Sequence, residues 1–298
     1  MESLPKENTP MQEIKDPVLI ENGVRLFVKR DDLTHPEVSG NKWRKLKYNL
    51  LKAKEDGYDT ILTFGGAYSN HIHAFAAAGK LYGLKTIGVI RGEEHLPLNP
   101  TLAFAKSQGM QLTYLDRTSF RDYRSAIPQL KNTFGDFYMA PMGGSNDLAL
   151  AGVAELGEEL NQFDHNIDYL CAACGTGGTL AGLITSISSE TKVIGFPALK
   201  GGDFLYEDIN EFISSVKGRN SFPEWTLNLE YHFGGYAKKK PELMEFMALF
   251  NQKYNIELER IYTGKMMFGV FDMIKKGLFP KGSNIVALHS GGLQINRS

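Results

Sequence analysis

The chain has 298 residues, enough for one large domain or two of ordinary size, each with a sizeable core. Its 33 basic and 34 acidic side chains leave a formal net charge of -1, which excludes the strongly basic surface that a nucleic-acid partner demands. No run approaches the ~18 apolar residues of a membrane span, no apolar segment follows a basic start in MESLPKENTPMQEIKDP, and two cysteines make no disulfide framework, so a cytoplasmic protein without a membrane partner is expected.

The first chemically loaded stretch is SGNKWRKLKYNL, residues 39–50. Ser39, Gly40 and Asn41 form a turn or helix-start signal, so Lys42 falls in a first helical turn with Lys45 or Leu46 on its face. A lysine amine forms a Schiff base with an aldehyde when burial or a neighbouring positive charge lowers its pKa. The alternative is a solvated lysine-rich helix start, the expectation for Arg44 and Lys47.

Apolar β-rich runs follow at 60–64, 86–90, 111–115, 137–140, 168–172, 192–196 and 284–288, with helical patterns at 70–82, 100–108, 151–162, 178–188, 241–254 and 265–276. Continuous apolar strands alternating with helices predict βαβ units and mostly parallel sheets covered on both faces. The rhythm is tightest at 57–140, changes at PMGGSNDLALAG and resumes near 166. This predicts two doubly wound α/β domains: a large one from 1–54 and 150–298, and a smaller one inserted at 55–149, meeting across a cleft.

Two glycine-rich turns punctuate that rhythm. FGGAYSNHIHAFAAAGK, residues 64–80, presents Ser69 and Asn70 at a helix start, where they either cap the helix or serve a ligand. His71 and His73, two apart, cannot share a helical face, so no metal site is expected there. CGTGGTLAGL, residues 174–183, exposes backbone N–H groups at a helix start, a site for a phosphate, or else a tight turn that binds nothing. Leu180 stands where a dinucleotide fingerprint needs glycine, and no Gly-Lys-Ser/Thr ending completes a P-loop, so one small phosphate fits best. Cys171 and Cys174 are expected to be buried structural thiols rather than a redox or zinc pair.

SGNKWRKL, GGAYSNH and GTGGTLAG, in that order, resemble the pyridoxal 5'-phosphate (PLP) enzymes of the tryptophan synthase β-like fold, fold type II. Within them they are most similar to the 1-aminocyclopropane-1-carboxylate (ACC) deaminase/D-cysteine desulfhydrase family, with further matches at KRDDLTHP, PMGGSN, YTGK and HSGG. The resemblance implies an active site in the interdomain cleft, a small amino-acid substrate and a homodimer. It implies that Lys42 is the Schiff-base lysine, and that Lys45 holds the phosphate with the loop Gly175, Thr176, Gly177, Gly178 and Thr179. Asn70 would bond the ring hydroxyl, Ser69, Asn70 and His71 would meet the substrate, and Tyr236 and Tyr262 would be the active-site phenols. In ACC deaminases proper a glutamate follows the second tyrosine and keeps the ring nitrogen protonated; here Thr263 follows Tyr262, and Ser290 stands as the second ring-nitrogen neighbour. Hydroxyls predict a neutral pyridine, which favours D-cysteine desulfhydrase-type β-elimination to pyruvate, ammonia and sulfide over ACC ring opening. A racemase, a dehydratase of hydroxyl amino acids and a non-catalytic PLP-binding relative are the other readings. The chain stops at HSGGLQINRS, soon after the last motif, where family members continue through another helix.

Overall fold

The computed structural model describes residues 5–297 except 7, 217, 219 and 220; residues 1–4, read above for a leader, lie outside the described residues. The strands are β1 (Met11–Ile14), β2 (Arg25–Lys29), β3 (Thr60–Gly66), β4 (Lys85–Arg91), β5 (Gln111–Leu115), β6 (Tyr138–Met139), β7 (Tyr169–Cys174), β8 (Lys192–Pro197), β9 (Trp225–Leu227) and β10 (Asn284–Leu288). The helices are α1 (Pro17–Asn22), α2 (Asn41–Glu55), α3 (Asn70–Tyr82), α4 (Pro100–Ser107), α5 (Ile127–Phe134), α6 (Asp147–Asn161), α7 (Gly178–Ile184), α8 (Leu205–Ser215), α9 (Pro241–Tyr254) and α10 (Thr263–Lys275).

Two separate sheets result. One has the order β1-β2-β10-β7-β8-β9, parallel except where β1 pairs antiparallel to β2; the other, β5-β4-β3-β6, is parallel throughout. The α/β class with mostly parallel sheets is as expected. Side chains alternate across each strand, so each sheet divides two cores. On β7, Cys171 and Ala173 enter the core under α9 and α10, while Leu170, Ala172 and Cys174 enter the one under α6, α7 and α8. The two thiols therefore lie on opposite faces, and burial pushes both up, Cys174 to about 12. They are buried, as expected, and in different cores.

Helix α2 corrects one expectation. Arg44, expected at the surface, is 1% exposed. Its guanidinium donates to Asp31 Oδ1 at 2.9 Å and to Glu159 Oε1 at 2.5 Å, and Lys29 Nζ donates to the second Glu159 oxygen at 2.8 Å. Buried charges survive only when paired in this way. Lys47, likewise expected in solvent, donates to Glu155 at 2.8 Å on α6. The helices approach closely because Gly152 faces α2: a Cβ there would sit 1.9 Å from the Arg44 carbonyl oxygen. This interface fixes the helix that carries Lys42 and Lys45.

Candidate active site

The turns that leave β3, β7 and β10 meet the start of α2 around a cavity of about 580 Å³. It lies beyond the carboxyl ends of parallel strands, where α/β folds place ligands. Glycine makes the meeting possible at Gly40, which has φ +58° and whose Cβ would stand 2.1 Å from the Ser290 carbonyl oxygen. Asn41 N–H donates to that oxygen at 3.2 Å, and Gly292 N–H donates to Ser39 Oγ at 3.3 Å. Gly40 caps α2 without a side-chain bond, so the expected turn signal works by backbone contact with the strand end of β10.

Lys42 and Lys45 both line the cavity. Burial lowers the Lys42 amine to about 8, opposed by the Glu259 carboxylate, and its Nζ donates to Asn41 Oδ1 at 3.1 Å. A useful fraction is therefore neutral near physiological pH. Lys45 is lowered further, first by burial and then by the Lys42 charge. Its hydrogen bond among the described residues goes to a neutral group, Ser145 Oγ at 2.6 Å, and Ser145 meets Thr176 Oγ1 at 2.9 Å. Asn41 Nδ2 donates to Thr179 Oγ1 at 3.0 Å, so the 175–179 loop is tied to α2. At Gly178 a Cβ would come within 2.7 Å of Ser145 Oγ and 3.4 Å of Lys45 Nζ, and Gly177 has φ +77°. A buried amine facing a loop of small residues, with no carboxylate to neutralise it, fits a phosphate.

At the other end, Ser69 is the N-cap of α3: its Oγ accepts from His71 N and Ile72 N at 3.2 and 3.4 Å, which leaves its own O–H to donate into the cavity. Asn70 Oδ1 accepts from Gln294 Nε2 at 2.8 Å. His71 is held well below its ordinary pKa by burial and by the two lysines. Thr63 Oγ1 lies 2.9 Å from His71 Nε2 and donates to the Ala140 carbonyl, so Nε2 carries the ring proton, and Nδ1 is a buried acceptor with no partner among the described residues. That orphaned nitrogen fits a ligand group. The Tyr236 and Tyr262 rings meet edge to face at 6.1 Å, and burial raises the pKa of both phenols.

The cavity lining thus gathers Lys42, Lys45, Ser69, Asn70, His71, Gly175, Thr176, Gly177, Thr179, Tyr236, Tyr262 and Ser290. Gly178 lies just behind it. Thr263 is not brought there: it is fully buried, and its hydroxyl accepts from Glu259 N–H at 2.8 Å and reaches back to the Glu259 carbonyl. Of the two hydroxyls expected beside the ring nitrogen, Ser290 alone faces the cavity.

Sequence reasoning passed over several contributors. Ser145 stood inside the quoted PMGGSN motif with no role. Arg91, Phe120 and Met142 line the mouth of the cavity, but nothing local marks them. Glu259 is fully buried, and its carboxylate accepts from Ile261 and Tyr262 N–H at 2.6 and 2.7 Å. Burial raises it to about 7 against those two bonds. An acid three residues before Tyr262 was the available signal.

Comparison with known proteins agrees with this geometry. The family model described as pyridoxal-phosphate dependent enzyme matches residues 3–291. A Pyrococcus furiosus protein provisionally named as a 1-aminocyclopropane-1-carboxylate deaminase is 33% identical over 91% of this chain and 85% of its own length. The Arabidopsis thaliana bifunctional D-cysteine desulfhydrase/1-aminocyclopropane-1-carboxylate deaminase is 30% identical over 91% of this chain and 73% of its own. The crystal structure of an ACC deaminase homologue superimposes with a TM-score of 0.79 at 30% identity, covering 98% of this chain and 91% of that one. The family model over nearly the whole chain and these relatives lead to one conclusion: the chain belongs to the pyridoxal-phosphate dependent enzymes.

Proposed function

We propose that the protein is a PLP-dependent lyase acting on a small amino acid, by β-elimination of the D-cysteine desulfhydrase type. The observation that carries this reading is that, among the described residues, no aspartate or glutamate lines the cavity. The names of two relatives support the reaction class, one of them naming both D-cysteine desulfhydrase and ACC deaminase.

When bound, the cofactor supplies an electron sink for a bond broken at the substrate α-carbon. The chain's residues do the rest. Lys45, with the 175–179 loop and Ser145, would hold the phosphate; Asn70 and Ser290 would face the ring. Ser290 would offer a bound ring a hydroxyl but no compensating negative charge, which would leave the ring nitrogen neutral and the sink moderate. A moderate sink suits loss of a good leaving group better than cleavage of a cyclopropane carbon–carbon bond. Ser69 would meet the substrate carboxylate at the α3 start, Lys42 Nζ would take the proton from the α-carbon, and Tyr236 or Tyr262 would deliver a proton to the departing sulfur. The balance is D-cysteine plus water giving pyruvate, ammonia and hydrogen sulfide.

Ketoacid analysis tests this. The holoenzyme should release pyruvate from D-cysteine and β-chloro-D-alanine much faster than 2-oxobutyrate from ACC. Efficient ACC turnover would replace the reading by ACC deaminase. A PLP-loaded protein inert toward all three would favour a non-catalytic relative. A homodimer and a cytoplasmic setting remain part of the proposal, with gel filtration and cell fractionation as their tests.

A further inference from the structure

Beside the cavity stands a third buried lysine, one that the proposed chemistry does not use. Lys265, one turn into α10 from Tyr262, is 2% exposed and forms no ion pair among the described residues. Its Nζ instead donates to three backbone carbonyls: Gly235 at 2.8 Å, His232 at 2.9 Å and Ala198 at 3.3 Å. Three acceptors match the three N–H groups of an ammonium.

The turn to which the Gly235 and His232 carbonyls belong is strained. Phe233, Gly234, Gly235 and Ala237 have φ of 54°, 95°, 121° and 55°, and two of the four are not glycine. Non-glycine residues in the left-handed region are strained and persist where the surroundings over-determine them. The turn's own bonds are three: Gly234 N–H to His232 Nδ1, Gly235 N–H to the His232 carbonyl and Lys238 N–H to the Gly235 carbonyl; the Phe233 ring rests on Phe268 at 5.0 Å. At its apex the turn carries Tyr236, which is 44% exposed and lines the cavity against Tyr262. The third carbonyl opens the segment that brings Leu199 to the same cavity.

We propose that Lys265 is a positioning residue: its ammonium holds the 232–237 turn in the conformation that presents the Tyr236 phenol to the substrate end of the cavity. The role of Tyr236 rests on the lyase reading, whereas the hold on the turn does not. The test therefore has an arm without turnover. In Lys265→Met, amides 232–238 should exchange hydrogen about tenfold faster or more, while α10, both sheets and PLP affinity stay as in the wild type. In the turnover arm, Lys265→Met and Tyr236→Phe should each raise KM for D-cysteine, and the double variant should be no worse than the worse single one, because both act through one phenol. If Lys265→Met does not fold, Lys265→Gln, neutral with two N–H donors, should show intermediate exchange in the turn. Unchanged exchange in the turn, or kinetic losses that multiply in the double variant, would overturn the proposal. A wild type with no turnover removes the lyase reading alone, and the exchange data still decide what Lys265 holds.

Discussion

At the scale of single residues, two buried groups titrate in separate windows. Glu259 is raised to about 7 by burial, above its usual value of 4.5. Between those values Glu259 binds more protons in the folded state than in the unfolded one, so its contribution to stability falls as pH rises from about 5 to 7, while buried His71, held below its ordinary 6.5, contributes in the opposite sense. Lys42 is depressed to about 8, so its folded form binds fewer protons between there and 10.5, and stability rises with pH in that range. In thermal melts of the PLP-free protein, the melting temperature of Glu259→Gln relative to the wild type should therefore climb between pH 5 and 7, with the alkaline rise retained in both. A difference between the two proteins that stays constant across that window would mean that Glu259 does not titrate there. Arg44 gives the complementary case: Arg44→Leu leaves Asp31 buried and unpaired, with an expected cost of about 3–5 kcal/mol in denaturant unfolding.

At the scale of elements, the glycine turns make sharp predictions. Gly40→Ala would force a Cβ onto the Ser290 carbonyl oxygen at 2.1 Å, at a φ that alanine rarely adopts. A stability loss of about 2 kcal/mol or more is expected, together with weaker PLP binding. Gly177→Asp sets a carboxylate against the phosphate dianion at a φ of +77°, and PLP affinity should fall by more than about tenfold in a protein that still melts cooperatively. The same elements show what the sequence discloses. The long apolar strands and the alanine-rich α3 announce themselves because one local period decides their burial. β1, β2 and β9 do not: each is short, and β2 begins and ends on a charge. α2 looks solvated because the acids that accept Arg44 lie 13 and 115 residues away, beyond any local spacing. Ser290 and Thr263 look equivalent on paper; a backbone bond to Glu259 turns the second away from the cavity.

At the scale of the whole molecule, the cavity exists because two sheets built from different stretches of chain direct their carboxyl ends at each other, with α2 bridging them. Motifs separated by more than a hundred residues meet there, and their order and chemistry were readable while the depth of burial that lowers Lys42 was not. A ligand that binds only this assembled cleft stabilises the fold by mass action, about 2.7 kcal/mol at a hundredfold excess over Kd, so PLP should raise the melting temperature with the logarithm of its concentration. The central claim is that Lys42 is the residue the cofactor joins. Borohydride reduction of the PLP-loaded protein, followed by proteolysis and mass spectrometry, measures it most directly. The account predicts a single pyridoxyl label on Lys42, absent from a Lys42→Ala variant. Recovery of the label on Lys45, Lys265 or any other lysine, with Lys42 unmodified, would contradict it.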